Sequence, residues 1–171
     1  DHAGGNAAFG LKSLIVAHES VRTRLLEGRE AGSNFRAEPH PIEAIPVLTF
    51  QESVTLHWNG EEIDVRYLGN PSHTDGDAVI FFRESNVIHT GDQYVNLNGF
   101  PYIDRDVGGS ATGLRDNIAA VLEMIDNDTK IIPGHGPLAT KADLQAYHDR
   151  VAATIDHVAN EKATGKTLEE I

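Results

Sequence analysis

The chain has no cysteine, few basic residues and no long apolar run. Each shortage closes off some chemistry. Without cysteine there can be no disulfide, Cys-ligated zinc module, iron–sulfur cluster or thiol nucleophile, and the redox compartment stays open. Lys and Arg number 14 against 26 Asp and Glu, a formal net charge of −12 with His neutral. Such a balance disfavours a surface that grips nucleic-acid phosphates or anionic lipid, so neither nucleic acid nor membrane is an expected partner. Apolar runs such as Ala78 to Phe82 fall far short of the roughly 20 residues a membrane span needs. The opening Asp1-His2-Ala3-Gly4-Gly5 has no basic stretch leading into an apolar one, so no signal segment is visible.

What is present is a globular mix. The 171 residues are 40% hydrophobic and 23% charged, enough for one domain over 1–171 with a sizeable core. Strands and helices alternate. A short helix runs from about Gly4 to Gly10. The apolar run Leu14 to His18 predicts a buried strand, and Glu19 to Leu26 a helix stopped by Gly28. Residues Glu30 to Pro46 read as loop. Val54 to Trp58 and Ile63 to Leu68 alternate with period two around Asn59-Gly60, which predicts a hairpin. Ala78 to Phe82 and Asn86 to His89 are further strands, and Gln93 to Gly108 a long loop. A helix starts near Ser110, with Leu114, Ile118, Val121, Leu122 and Ile125 as its apolar stripe. Lys130 to Ile132 is a short strand. The last helix opens at Thr140 with Asp143 in a capping-box arrangement, and buries Leu144, Tyr147, Val151, Ile155 and Val158.

There are nine His, and several stand with Asp at strand ends or in the tight loops that follow. Taken singly, a His beside a turn is more often a surface residue than a ligand, and Asp beside Gly is an ordinary turn former. The series is more specific: Asp-His-x-Gly-Gly-Asn from Asp1, Ser-His-Thr-x-Gly-Asp around His73, Thr-Gly-Asp ending at Asp92, and Pro-Gly-His-Gly around His135. Neutral imidazole and carboxylate are good zinc ligands, and glycines beside them let the backbone bend until side chains converge. His18 and His89 read as structural groups or as groups that orient ligands, and His57 as a sheet-surface residue. His40, His148 and His157 have no metal-like partners nearby in sequence. Tyr94, Asn96, Asn98 and Tyr102 lie in the predicted loop after Asp92, either contacting substrate or simply solvated.

This series resembles the metallo-β-lactamase superfamily of metal-dependent hydrolases, and the likeness covers nearly the whole chain. The resemblance implies an α+β fold, the αβ/βα four-layer sandwich. It makes Asp1 and His2 the last two residues of a His-x-His-x-Asp-His motif, His73 the third imidazole of a first metal site, Asp92 the bridging carboxylate, and His135 a ligand of the second site with Asp1 and His2. Asp rather than Cys at the bridge is the pattern of the glyoxalase-like and lactonase-like branches. The first two His of the motif are absent, so the expectation is the greater part of a longer enzyme, incomplete at the N-terminus. A further segment or a swapped copy would supply the missing pair.

By the same resemblance the cofactor is zinc, two ions in the complete protein, with other divalent metals acceptable. A metal-bound hydroxide would cleave an ester, lactone, thioester or β-lactam-type bond of a small-molecule substrate. Asp1 would orient the nucleophile and take its proton. The sequence does not reveal the compartment, and only the resemblance points to a periplasmic or secreted one. The rival reading is a non-catalytic fragment or degenerate relative that binds a metal or a partner without turnover.

Overall fold

The computed structural model describes residues 2–28 and 38–171. Asp1 and residues 30–37 of the predicted loop lie outside them. In chain order the elements are helix α1 (Asn6–Phe9), strand β1 (Val16–His18), helix α2 (Glu19–Glu27), strands β2 (Leu48–Phe50), β3 (Ser53–Trp58), β4 (Glu61–Arg66), β5 (Val79–Phe82) and β6 (Val87–Val95), helix α3 (Ala111–Met124), strand β7 (Lys130–His135) and helix α4 (Lys141–Ala163). Strands β1 and β2 form a parallel pair, and β3 to β7 form a five-stranded sheet in sequence order. Its first three pairings are antiparallel and the last, β6 with β7, is parallel. A parallel pair needs a crossover, and α3 provides it. No described helix is long and apolar enough to cross a membrane.

Local chemistry accounts for most of these elements. The β3–β4 turn places Asn59 at φ 54° and Gly60 at φ 77°, the left-handed pair that lets a two-residue hairpin follow the strand twist. Gly28, at φ 74°, ends α2. Ser110 caps α3 by accepting from the Gly113 N–H. Thr140 and Asp143 form a reciprocal capping box at the start of α4. One face of the large sheet carries Val79, Phe81, Ile88 and Ile131. These bury against Leu114, Ile118, Val121 and Leu122 of α3 and Leu144, Tyr147 and Val151 of α4. The other face reads Val54, Leu56, Ile63, Val65, Ile80, Phe82, Val87 and Ile132, and every one of these is only half-buried.

Several expectations need correction. Leu14 is 77% exposed, because the first strand begins only at Val16 and pairs along three residues. Val158 is 41% exposed; beyond Val151, α4 packs only the half-buried Ile155 against the core. Strand β2 had no visible signal, since three residues are too few to display a period. Strand β6 runs to Val95 and β7 to His135, so Asp92 and His135 lie within strands rather than after them. Tyr94 is core, not loop: it is 2% exposed and its ring meets Tyr147 edge-on at 4.9 Å.

Gly113 ties the helix layer to the loop that carries His73. A Cβ there would sit 1.9 Å from the Pro71 carbonyl oxygen and 3.3 Å from Asn70 Cβ. Gly to Ala inside a helix ordinarily stabilises, by roughly 0.5–1 kcal/mol. Here the sign reverses: Gly113→Ala should lower stability by about 1–3 kcal/mol through overpacking, read as a lower urea midpoint. A raised midpoint would show that the loop yields freely.

Candidate metal centre

Three imidazoles surround one carboxylate. His2 Nε2 lies 3.1 Å from Asp92 Oδ2, and His73 Nε2 lies 3.5 Å from the same oxygen. His135 Nε2 is 3.5 Å from Asp92 Oδ1. The His2 and His135 rings meet edge-on at 5.2 Å. His2, Asp92 and His135 form a group whose donor atoms all lie within 4.8 Å of one another. The structure thus brings together four of the five residues singled out as metal ligands. The fifth, Asp1, lies outside the described residues.

Each residue reaches this point by a distinct local device. Asp92 sits where β6 falls out of step with β7: the pairing passes from His89↔Ile132 to Gly91↔Pro133 and then to Val95↔His135, with irregularities between. Extra residues on one strand kink it and re-aim a side chain. Gly91 takes φ 54° in that kink. Across from it, Gly134 leaves the space the carboxylate occupies, since a Cβ there would lie 1.9 Å from Asp92 Oδ1. His73 stands in the loop between β4 and β5, and Asp77 organises that loop. One oxygen of Asp77 accepts from Ser72 Oγ at 2.7 Å and Thr74 N–H at 2.6 Å, and the other accepts from Thr74 Oγ1 at 2.8 Å. The ring of His73 donates from Nδ1 to the Tyr102 carbonyl at 2.8 Å. A carbonyl only accepts, so Nδ1 carries the proton and a neutral His73 turns the lone pair of Nε2 toward Asp92.

A buried polar network joins the two halves of the site. Asn117 of α3, fully buried, donates to the Asn70 carbonyl and to Gln93 Oε1 at 2.9 and 3.0 Å. Asn70 Nδ2 returns a bond to Asn117 Oδ1 at 3.2 Å. Asn117 therefore links the strand of Asp92 with the loop of His73. Neither Asp77 nor Asn117 was singled out from the sequence. Asp77 closes the Ser-His-Thr-x-Gly-Asp motif, and a turn-organising Asp was readable there. Asn117 left only the weak signal of an amide on an otherwise apolar helix face.

The remaining His fall elsewhere. His18 caps α2, its Nδ1 accepting from Ser20 N–H at 3.3 Å, and Nε2 donates to the Gln51 carbonyl at 3.2 Å. Its ring stacks on Tyr67 at 4.4 Å. His89 accepts the Gly91 N–H at its Nδ1, 3.0 Å away, inside the kink that presents Asp92. Burial pushes the His89 imidazole below its usual pKa, while the charge on Asp92 pulls the other way. His57 is exposed on the sheet.

The donor set fits a divalent cation. The Asp92 side chain is only 8% exposed, and its Oδ1 is buried with no hydrogen-bond partner among the described residues. A buried charged oxygen without a partner is costly. At Oδ2 the Nε2 of His73 stands 3.5 Å away, and a cation between them would be attracted by both. Ligands held about 2.0–2.2 Å from a tetrahedral ion stand about 3.3–3.6 Å apart. The observed nitrogen–oxygen separations of 3.1 and 3.5 Å are close to that spacing.

The fold is that of the metallo-β-lactamases. A metallo-β-lactamase from Pontibacter korlensis is 17% identical with a TM-score of 0.68, over 89% of this chain and 64% of that one. An archaeal metallo-β-lactamase superfamily protein from Sulfolobus tokodaii is 13% identical with a TM-score of 0.64, over 88% and 63%. A double mutant of the sec-alkyl sulfatase PisA1 is 19% identical with a TM-score of 0.59, over 81% and 22%. This chain therefore spans less than two thirds of the length of these solved structures. No family model matches it, and no curated protein matches it in sequence. The α+β class and the metallo-β-lactamase-like fold expected from the four motifs are the ones found.

If the vacancy at Gly134 is what admits Asp92, filling it should displace the carboxylate. Gly134→Ala is expected to weaken zinc binding at least about tenfold while far-UV circular dichroism stays unchanged. Isothermal titration with zinc measures it, and unaltered affinity would mean the strands part without moving Asp92.

Proposed function

We propose that this chain carries the metal centre of a metal-dependent hydrolase, with zinc as the cofactor. The observation that carries the reading is Asp92: an almost fully buried carboxylate facing the ring nitrogens of three His from three other parts of the chain. His2, Asp92 and His135 would hold one ion, with Asp1 as a further ligand. Asp92 and His73 would contribute to a second, so that Asp92 is the bridge. When bound, such ions lower the pKa of water to about 7 and polarise a carbonyl, so no Ser or Cys nucleophile is required.

The chain's own residues would do the rest. Asp92 would be shared by the two sites. His73, its Nδ1 hydrogen-bonded to the Tyr102 carbonyl, turns Nε2 toward the site as the ligand atom. Asp1 would orient the attacking water and accept its proton. The bond cleaved would be an ester, lactone, thioester or β-lactam-type bond of a small molecule. The same centre suits many carbonyl compounds, and fold alone does not choose among them.

Two observations bear on completeness. The chain covers 64% of its neighbour from Pontibacter korlensis, and the sheet face opposite the helices is apolar yet half-open. Both fit a further segment, or a swapped copy, that would cover this face; by the resemblance it would also bring the missing His-x-His pair to the His73 side. The rival reading, a piece that binds metal without turnover, draws on the same two observations.

Metal analysis of variants tests the assignment. Asp92→Ala should lose nearly all bound zinc, because it alone touches both proposed ions, whereas His89→Ala should retain most of it. Equal loss would overturn the bridging role. Hydrolysis of a chromogenic lactone or β-lactam that a chelator stops and zinc restores separates the enzyme from the metal-binding piece. Bound zinc without any turnover would decide for the piece.

A further inference from the structure

His135 is the most weakly packed of the inner-strand ligands: its side chain is 53% exposed, so surrounding atoms do little to hold the ring. Its aim must come from the backbone, and the backbone there is vulnerable. The next residue, Gly136, has φ +102°, a conformation that glycine enters and leaves easily. One residue spans this weak point. Asn96, directly after the end of β6, donates its backbone N–H to the His135 carbonyl at 2.8 Å. Its side-chain Nδ2 donates to the Pro137 carbonyl at 2.9 Å. The two bonds grip the chain on either side of Gly136. Gly136 itself lies so close beneath that a Cβ would meet the Asn96 carbonyl oxygen at 2.2 Å.

We propose that Asn96 is a positioning residue, which by clamping the carbonyls of His135 and Pro137 aims the His135 imidazole at Asp92. This rests on the metal-centre reading above. The backbone half of the clamp belongs to any residue at this position, since it continues the β6–β7 pairing beyond Val95↔His135. The side-chain half requires a donor on a short arm. Leu, Ala or Asp at 96 would leave the Pro137 carbonyl to solvent, and Gly136 would be held from one side only. A ligand free to swing must be ordered when the ion arrives, and that entropy appears as lost affinity.

The test is a double-mutant cycle on the full chain, read as zinc affinity by competition with a chromophoric chelator. Asn96→Ala should weaken zinc binding about 10–100-fold, the range for groups that orient metal ligands. In a His135→Ala background the same change should alter affinity by less than about twofold, because the ligand it aims is gone. Asn96→Ser, too short to span to Pro137, should behave like Asn96→Ala and stands in for it if that variant does not fold. Equal weakening in both backgrounds would mean that residue 96 supports the fold generally, and overturns the proposal. So does an unchanged affinity in the otherwise unmodified chain. If the unmodified chain itself binds no zinc, the metal-centre reading falls and takes this one with it. If it binds and Asn96→Ala or Asn96→Ser binds equally well, only this proposal falls.

Discussion

The constraint on which this structure turns is the placing of one carboxylate, Asp92, in a nearly buried position without a hydrogen-bond partner for Oδ1 among the described residues. A charge taken out of water in this way is tolerated only where something compensates it. A cation held between Asp92 and the three ring nitrogens that face it would supply that compensation. The arrangement is therefore poised for a cation. Several unrelated features serve that single placement. The strand is kinked at Gly91, the space opposite is left open at Gly134, and His89 accepts a backbone N–H within the kink.

Converging four segments also demands that their supports be rigid relative to one another. His73 belongs to a loop, and a loop gives no rigidity by itself. Asp77 supplies it locally through three hydrogen bonds. Asn117 supplies it across the fold by bonding the loop and strand β6 at once. Arg24 of α2 adds a third tie, donating from Nε to Asp75 Oδ1 at 3.1 Å and from Nη2 to the Val107 carbonyl at 3.3 Å. Asn117 makes both of its donor bonds and accepts one, and a buried amide so bonded favours this arrangement of loop, strand and helix over others.

How far this was readable from the sequence depends on the range of the causes. Asn59-Gly60, the stripe of α3 and the Thr140–Asp143 box act over a few residues, and each appears in the structure as expected. The ends of β6 and β7 did not, because what extends them is their mutual parallel pairing, for which neither sequence contains a local signal. The same is true of β2, a strand only by virtue of β1. Tyr94 was read as loop for this reason; once β6 extends through it, period two turns its ring toward Tyr147. The candidate site behaves differently. Its His and Asp residues were unremarkable singly and stood out only as an ordered series of four motifs resembling one family. Their supports, Asn117 and the Asn96 clamp, were not, because an amide becomes informative only when its partners are known.

The two faces of the large sheet explain why site and stability are separable. The closed face, with Val79, Phe81, Ile88 and Ile131 against α3 and α4, holds most of the buried apolar side chains and so most of the hydrophobic stabilisation. The metal-facing residues contribute little of it: His2 and His135 are more than half exposed. The unfavourable part of the site is concentrated in the buried carboxylate of Asp92. An ion that binds the folded chain and not the unfolded one then adds stability by mass action, about 2.7 kcal/mol at a hundredfold excess over its dissociation constant. The direction of that coupling follows from Asp92 itself. Because Oδ1 has no hydrogen-bond partner among the described residues, an ion bound there as proposed would return stability to the fold.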